Sequence, residues 1–318
     1  METHMLDPRD LYELNLDVAD PLRESGEAAT TGPALVVALR GYGDAGHVTE
    51  ISAQHIIATG EPRRVATFDH DRLVDYQAKR PTLTFESARW VDYQPPLIAL
   101  DLVTDAEGTP YLILHGYEPD RYWDGFIAAV IGLITDFNIS LVVNLHGIPM
   151  GVPHTRPAGA IVHATRDGLV EDEKIWNGSM QVPATVANLI QYRLGQYERD
   201  AIGIAVHVPH YLAQSQYTPA AITGLTKVEA LTGLDLAVGE LAGAAEEALA
   251  EVERQAGKSQ DISEMISAME NQYDAFMAAH PEESLLAHVN RIPTADELAA
   301  EFEEFLSQQR ESGNGDVS

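Results

Sequence analysis

The residues of this chain that come nearest to a chemical constellation are His146, His154, His207 and His210. Each ends or follows an apolar run, Leu141 to Leu145 for the first two and Ala201 to Val206 for the others. If those runs are neighbouring strands, the four imidazoles converge. Zinc takes imidazoles plus a carboxylate at ~2.0–2.2 Å. The sequence has no H-E-x-x-H and no paired acids beside these histidines. They are expected to hydrogen-bond backbone groups of their proline-bearing loops, with no metal and no cofactor. Arg156 stands apart. It lies on His146 to Pro157 in a very acidic chain, so it grips either an internal carboxylate or a ligand anion. Three prolines and two glycines in that run are expected to forbid helix or ladder for about ten residues. A rigid loop at the end of a central strand is where open α/β sheets place their sites.

A second pattern is Gly41-Tyr42-Gly43-Asp44-Ala45-Gly46, which matches G-x-G-x-x-G between a strand and a helix. In a dinucleotide site such glycines let a pyrophosphate reach the helix N-terminus. The ribose-binding acid should follow about 20 residues on, at the end of the next strand. Asp69 comes later than that and Glu61 precedes the strand, while Asp44 brings negative charge to the phosphate position. A tight turn accounts for the glycines, and nucleotide binding is discounted. No G-x-S-x-G elbow is present, and Ser179 and Ser215 lack a base nearby in sequence. Glu118, Asp120 and Asp124 at a helix start suit the macrodipole.

Composition narrows the classes further. The 318 residues are 45% hydrophobic, enough for a packed interior, and contain no cysteine, so thiol catalysis and disulfides are excluded. A net charge of −29 repels nucleic acid and anionic membrane and favours solubility. No apolar run approaches the ~20 residues that span a bilayer. Met1 to Asp10 lacks the basic start and apolar middle of a signal peptide, and a cytoplasmic location is expected.

The elements that must position these residues alternate. Residues 1–33 read as a leader, draped on the domain through Leu11, Tyr12, Leu14 and Leu16. Ala34 to Leu39 is a continuous apolar run, the pattern of a strand buried on both faces. Further strands are expected at Val65–Asp69, Pro81–Glu86, Leu97–Val103, Tyr111–Gly116, Ala160–Ala164 and Ala201–Val208. The Asp105–Pro110 turn makes one pair an antiparallel hairpin. A helix from Glu118 carries Trp123, Phe126, Ile127, Val130, Ile131, Ile134 and Phe137 on one face. Strand and helix thus alternate, which predicts a three-layer α/β/α sandwich with a mixed sheet over residues 34–235. Residues 236–308 read as a helical extension, with a stripe of Ile262, Met265, Ile266, Met269, Tyr273 and Phe276 and capping-box spacing at Asp261/Glu264 and Thr294/Glu297. Residues 309–318 read as a disordered tail.

Several of these stretches in order resemble the bacterial branch of the proteasome assembly chaperone 2 family. They are Gly43-Asp44-Ala45-Gly46, Glu118-Pro119-Asp120 with Trp123, Ile148-Pro149-Met150 through His154-Thr155-Arg156-Pro157, and Trp176. Val208 to Ala213 with Tyr217 and Glu270 to Phe276 complete the likeness, which covers roughly residues 30–280. The resemblance implies a fold similar to nucleoside phosphorylases and related hydrolases. It also implies a homo-oligomer, a trimer, and binding or assembly of proteasome α/β subunits, with no catalytic residues. Candidate ligand- or partner-binding residues are Gly43, Asp44, Gly46, Glu118, Asp120, Trp123, His154, Thr155, Arg156, His210 and Tyr211. The alternative is a small-molecule enzyme of the phosphorylase/hydrolase type, with Arg156, His154, His210 and Asp44 around one cleft. Both readings require the two proline-bearing turns to leave the sheet at one edge and face each other.

Overall fold

The computed structural model describes residues 7–28, 32–170, 179 and 181–279. Its strands are β1 (Tyr12–Leu14), β2 (Ala34–Arg40), β3 (Arg63–Phe68), β4 (Thr82–Glu86), β5 (Arg89–Gln94), β6 (Ile98–Thr104), β7 (Pro110–Tyr117), β8 (Leu141–Met150), β9 (Ala160–Ala164) and β10 (Ala201–Pro209). Its helices are α1 (Leu16–Ala28), α2 (Val48–Thr59), α3 (His70–Leu73), α4 (Trp123–Asp136), α5 (Val186–Gln196), α6 (Thr218–Thr232), α7 (Ala242–Ala256) and α8 (Gln260–Ala279).

Eight strands form one mixed sheet in the order β1-β3-β6-β7-β2-β8-β10-β9. The centre is parallel, β7 with β2, β2 with β8 and β8 with β10, while both flanks are antiparallel. Alternation along β2 sorts its side chains: Leu35, Val37 and Leu39 join one buried cluster, and Val36 and Ala38 the other. The first cluster is closed by α1, α4 and α5 through residues such as Leu22, Phe126 and Ile190. The second is closed by α2 and α6 through Val48, Ile56, Leu225 and Val228. This is the expected three-layer sandwich, and α8 continues it as a C-terminal helix. The stripe on α8 is mostly covered: Ile266 and Met269 are buried, while Ile262 is exposed.

Three local expectations need correction. The segment read as a leader carries β1, which pairs with β3 at the sheet edge, and Leu11 is buried, although Leu16 is exposed. Three residues are too few to announce a strand by alternation. The ladder also runs on through Pro149 to Met150, in register with β10, where proline was expected to forbid it. Beyond Asn144 the strand has lost β2 and is paired on one side only, which is where a missing N–H is tolerated. Finally, β4 does not join the main sheet. It pairs with β5 in a separate hairpin, a strand the sequence reading missed. Trp176, the Thr294/Glu297 spacing and residues 309–318 lie outside the described residues.

Candidate functional site

Parallel pairing of β8 with β10 sends both proline-bearing turns out of one sheet edge, since Pro209 stands opposite Met150. They meet there: the His154 N–H donates to the Tyr211 hydroxyl at 2.9 Å, and that hydroxyl lies 2.7 Å from His154 Nδ1. The hydroxyl accepts from the backbone and donates to Nδ1, so Tyr211 braces a neutral ring. Burial pushes the His154 imidazole below its ordinary value. His210 packs edge-on against Tyr211. Arg156 resolves in favour of internal carboxylates. Its guanidinium pairs with Asp274 and Glu270 on α8, and Thr155 donates to the same Glu270.

An open cleft of about 1140 Å³ lies at this edge of the sheet. Asp44, Gly43, Glu118, Asp120 and Trp123 line it, as do Arg40, Tyr42, Lys79, His146 and His163. His154, Thr155, Arg156, His210 and Tyr211 are not among its walls, and Gly46 turns away to pack on Val208 and Tyr217. The single cleft expected around Arg156, His154, His210 and Asp44 is therefore not formed, because α8 takes up the arginine and Tyr211 the histidine.

Two helix N-termini face this region, and the chain's own carboxylates occupy both. Asp44 accepts from Thr49 N–H at 2.7 Å, Thr49 Oγ1 at 2.6 Å and Glu50 N–H at 3.3 Å, all in the first turn of α2. Burial raises its carboxyl above the ordinary value, with the Thr49 hydrogen bonds opposing. Glu118, which is buried, accepts from the first amide of α5, Val186 N–H, at 2.6 Å and from Tyr42 N–H at 3.3 Å. An N-terminus is a ready anion site, but here it is filled from within. The glycine turn now has its reason. A Cβ at Gly41 would lie 2.0 Å from Glu118 Oε2, and one at Gly43 would lie 2.9 Å from Thr185 Cγ2. Gly41 makes room for the Glu118 carboxylate and Gly43 for the Thr185 methyl.

The cations are engaged as well. Arg40 lies over the Tyr117 ring at 3.7 Å and donates to Glu50 at 2.6 Å. Lys79 donates to the Glu118 carbonyl at 2.6 Å and to Asp120 at 2.8 Å. Asp120 also accepts from Asp75 N–H. Among the described residues no group of three or more His, Asp or Glu is placed to hold a metal. No described helix is long and apolar enough to cross a membrane.

Sequence reasoning missed His163 and the amides behind it, Gln191 and Asn144. Their signals were present: an asparagine inside the apolar run Leu141–Leu145, and Gly203 inside a buried strand, which marks close approach. A Cβ at Gly203 would sit 2.1 Å from His163 Cε1.

A comparison with curated proteins returned no match. Among solved structures, a Mycobacterium tuberculosis protein of unknown function is 36% identical, covering 88% of this chain and 93% of its own, with a TM-score of 0.80. A Corynebacterium glutamicum protein of unknown function is 30% identical over 85% and 99%, with a TM-score of 0.78. A Mycobacterium tuberculosis proteasome-assembly chaperone homologue shares the fold at 21% identity over 73% and 99%, with a TM-score of 0.67. The family model described as PAC2 family matches residues 38–256. The chain belongs to the PAC2 family.

Proposed function

We propose that this chain is a non-catalytic, assembly-chaperone-like protein that binds proteasome-type α and β subunits in the cytoplasm. The partner class comes from kinship: a fold relative from Mycobacterium tuberculosis is described as a proteasome-assembly chaperone homologue, and one from Pyrococcus furiosus as an archaeal proteasome activator. The observation that carries the non-catalytic reading is the pairing of the cleft's charges. Asp44, Glu50, Glu118, Asp120, Arg40 and Lys79 each hold a partner within the chain, so each has a structural task that acid–base chemistry would disrupt.

The chain acts as a homo-oligomer, a trimer by family resemblance. The β4–β5 hairpin supports this. It exposes Leu83, Phe85, Trp90 and Tyr93, and an isolated pair of strands is marginal in water. Its charges are nearly balanced, with Arg89 against Glu86 and Asp92 and Arg80 just before it, in a chain of −29. Copies of the chain repel each other least there.

The test is co-expression of the tagged chain with proteasome α and β subunits from the same organism. Enrichment of subunit precursors, with slower particle assembly after deletion of the gene, is the expected result. No enrichment together with unchanged assembly overturns the reading.

A further inference from the structure

The cleft floor contains hydrogen-bonding capacity that the described residues leave unused. Two rows of residues across β8, β10 and β9 define it. Asn144 on β8 stands opposite Gly203 on β10, which stands opposite His163 on β9. One row on, His146 stands opposite Ala205, which stands opposite Ile161. The two smallest side chains thus lie on the middle strand, and an imidazole rises on either side of them. The result is a trough between His146 and His163, continued by Ile148 and Ile161.

One of these rings is held by a dedicated support. Gln191 Nε2 donates to His163 Nδ1 at 3.0 Å, and Gln191 Oε1 accepts from Asn144 Nδ2 at 3.0 Å. Asn144 is 2% exposed and Gln191 7%, whereas His163 itself is exposed in the cleft. Two buried amides are therefore committed to orienting an open imidazole, and Asn144 Oδ1 stays unpartnered in the process. Because Nδ1 accepts, the neutral ring carries its proton on Nε2. Nε2 makes no hydrogen bond to the described residues, and neither nitrogen of His146 does. Burial lowers both imidazoles, that of His146 to about 4, so both are neutral at pH 7. His163 then offers its Nε2–H as a donor, and His146 offers one donor and one acceptor.

We propose that this trough binds an uncharged ligand through His146 and His163: a secondary amide between apolar groups, as in a short apolar peptide segment. A neutral imidazole pair matches the N–H and C=O of an amide. The apolar floor of Ile148, Pro149, Ile161 and Ala205 suits its flanks. Charged ligands fit poorly. Arg40 and Lys79 are already paired, and Asp44, Glu50, Glu118 and Asp120 repel an anion. The same carboxylates are tied to helix amides or internal cations, so an ammonium group gains little from them. The proposal goes beyond subunit binding and does not depend on it.

The experiment titrates the full-length chain, labelled with ¹³C-histidine, with N-acetyl-leucyl-valine amide. The free acid N-acetyl-leucyl-valine and the free amine leucyl-valine amide are run in parallel. His146→Gln and His163→Gln assign the two signals. The expected result is a saturable shift of both signals by the blocked amide, with affinity at least about tenfold weaker for either charged probe. His163→Ala weakens the blocked amide by about tenfold, the size of one lost hydrogen bond, and circular dichroism checks that the variant is folded. Gln191→Leu, which leaves the ring but not its orientation, weakens it as well, and His70→Ala does not. The absence of a saturable shift, preference for a charged probe, or full affinity in His163→Ala overturns the proposal. Since the assay contains no proteasome subunit, its failure is distinguishable from failure of the co-expression test.

Discussion

Arg156 and Asp274 face each other through two parallel hydrogen bonds, Nε to Oδ1 at 2.8 Å and Nη2 to Oδ2 at 2.6 Å. The pair joins the proline loop to α8, 118 residues further along the chain. Glu270 adds a third contact, and Tyr273 packs on the cluster of Met150, Val152, Ile161 and Ala205 beside it. The salt bridge is solvent-accessible, so apolar packing holds most of this contact together.

Arg156→Ala is expected to loosen α8 and little else. Amide hydrogen exchange should rise across residues 260–279, while the global melting temperature moves by no more than about 2 °C. The Arg156 guanidinium holds the Asp274 carboxyl below the usual carboxylate range. A carboxyl with a depressed native value stabilises above its unfolded value, about 3.9, and that contribution is lost as pH falls through the native value. The α8 contact should therefore be pH-independent near neutrality and weaken below about pH 4. Asp274→Asn should remove that acid dependence.

Gly41→Ala should destabilise by about 2 kcal/mol, because its new Cβ overlaps a buried carboxylate that caps α5. Gly43→Ala, whose neighbour is a threonine methyl, should cost about 1 kcal/mol or less. Glu118→Ala should resemble Gly41→Ala, by loss of the cap. Urea unfolding measures all three, and equal costs for the two glycines would contradict this account of the turn.

His207 is buried with neither ring nitrogen hydrogen-bonded, and burial pushes its imidazole down to about 4. The unfolded chain binds a proton near pH 6.5 that the native state refuses. Stability is then fully present above that value and falls as pH drops towards 4, by up to about 3 kcal/mol for this residue. Protonation of the chain's many carboxylates changes stability over part of the same range. The decisive measurement is consequently the difference between the wild type and His207→Leu, which should shrink or reverse between pH 7 and pH 4.5.

Phe85→Ser with Trp90→Ser should leave the monomer folded and shift its solution mass downwards. The two rings pack on each other, at 4.9 Å between centroids, and neither belongs to the two main clusters. Light scattering reads the outcome. An unchanged mass would remove the hairpin from the oligomer contact.

The sequence was most legible where burial enforces a period. Leu35 to Leu39 and the α4 stripe from Phe126 to Phe137 could be placed because both layers press on them. Arg89 to Gln94 could not, since nothing covers β5 and no period is imposed on it. Glu118 is legible as an acid at a helix start and Asp44 as a charge in the glycine turn, but their common surroundings depend on β2 and β7 being parallel neighbours. His163 was out of reach for a related reason. Its support comes from β8 and α5, and only the antiparallel return of β9 along β10 brings them together.

The pairing of β2 with β8 and of β8 with β10 has a kinetic consequence. During synthesis, one flank of β2 has no partner until residues 141–150 emerge, and β8 has none on its far side until residues 201–209 follow. Long-range parallel pairing of this kind is slow and leaves apolar edges uncovered meanwhile. The nascent chain is thus most prone to aggregate when roughly the first half has left the ribosome, and this vulnerability ends only once β10 has been made.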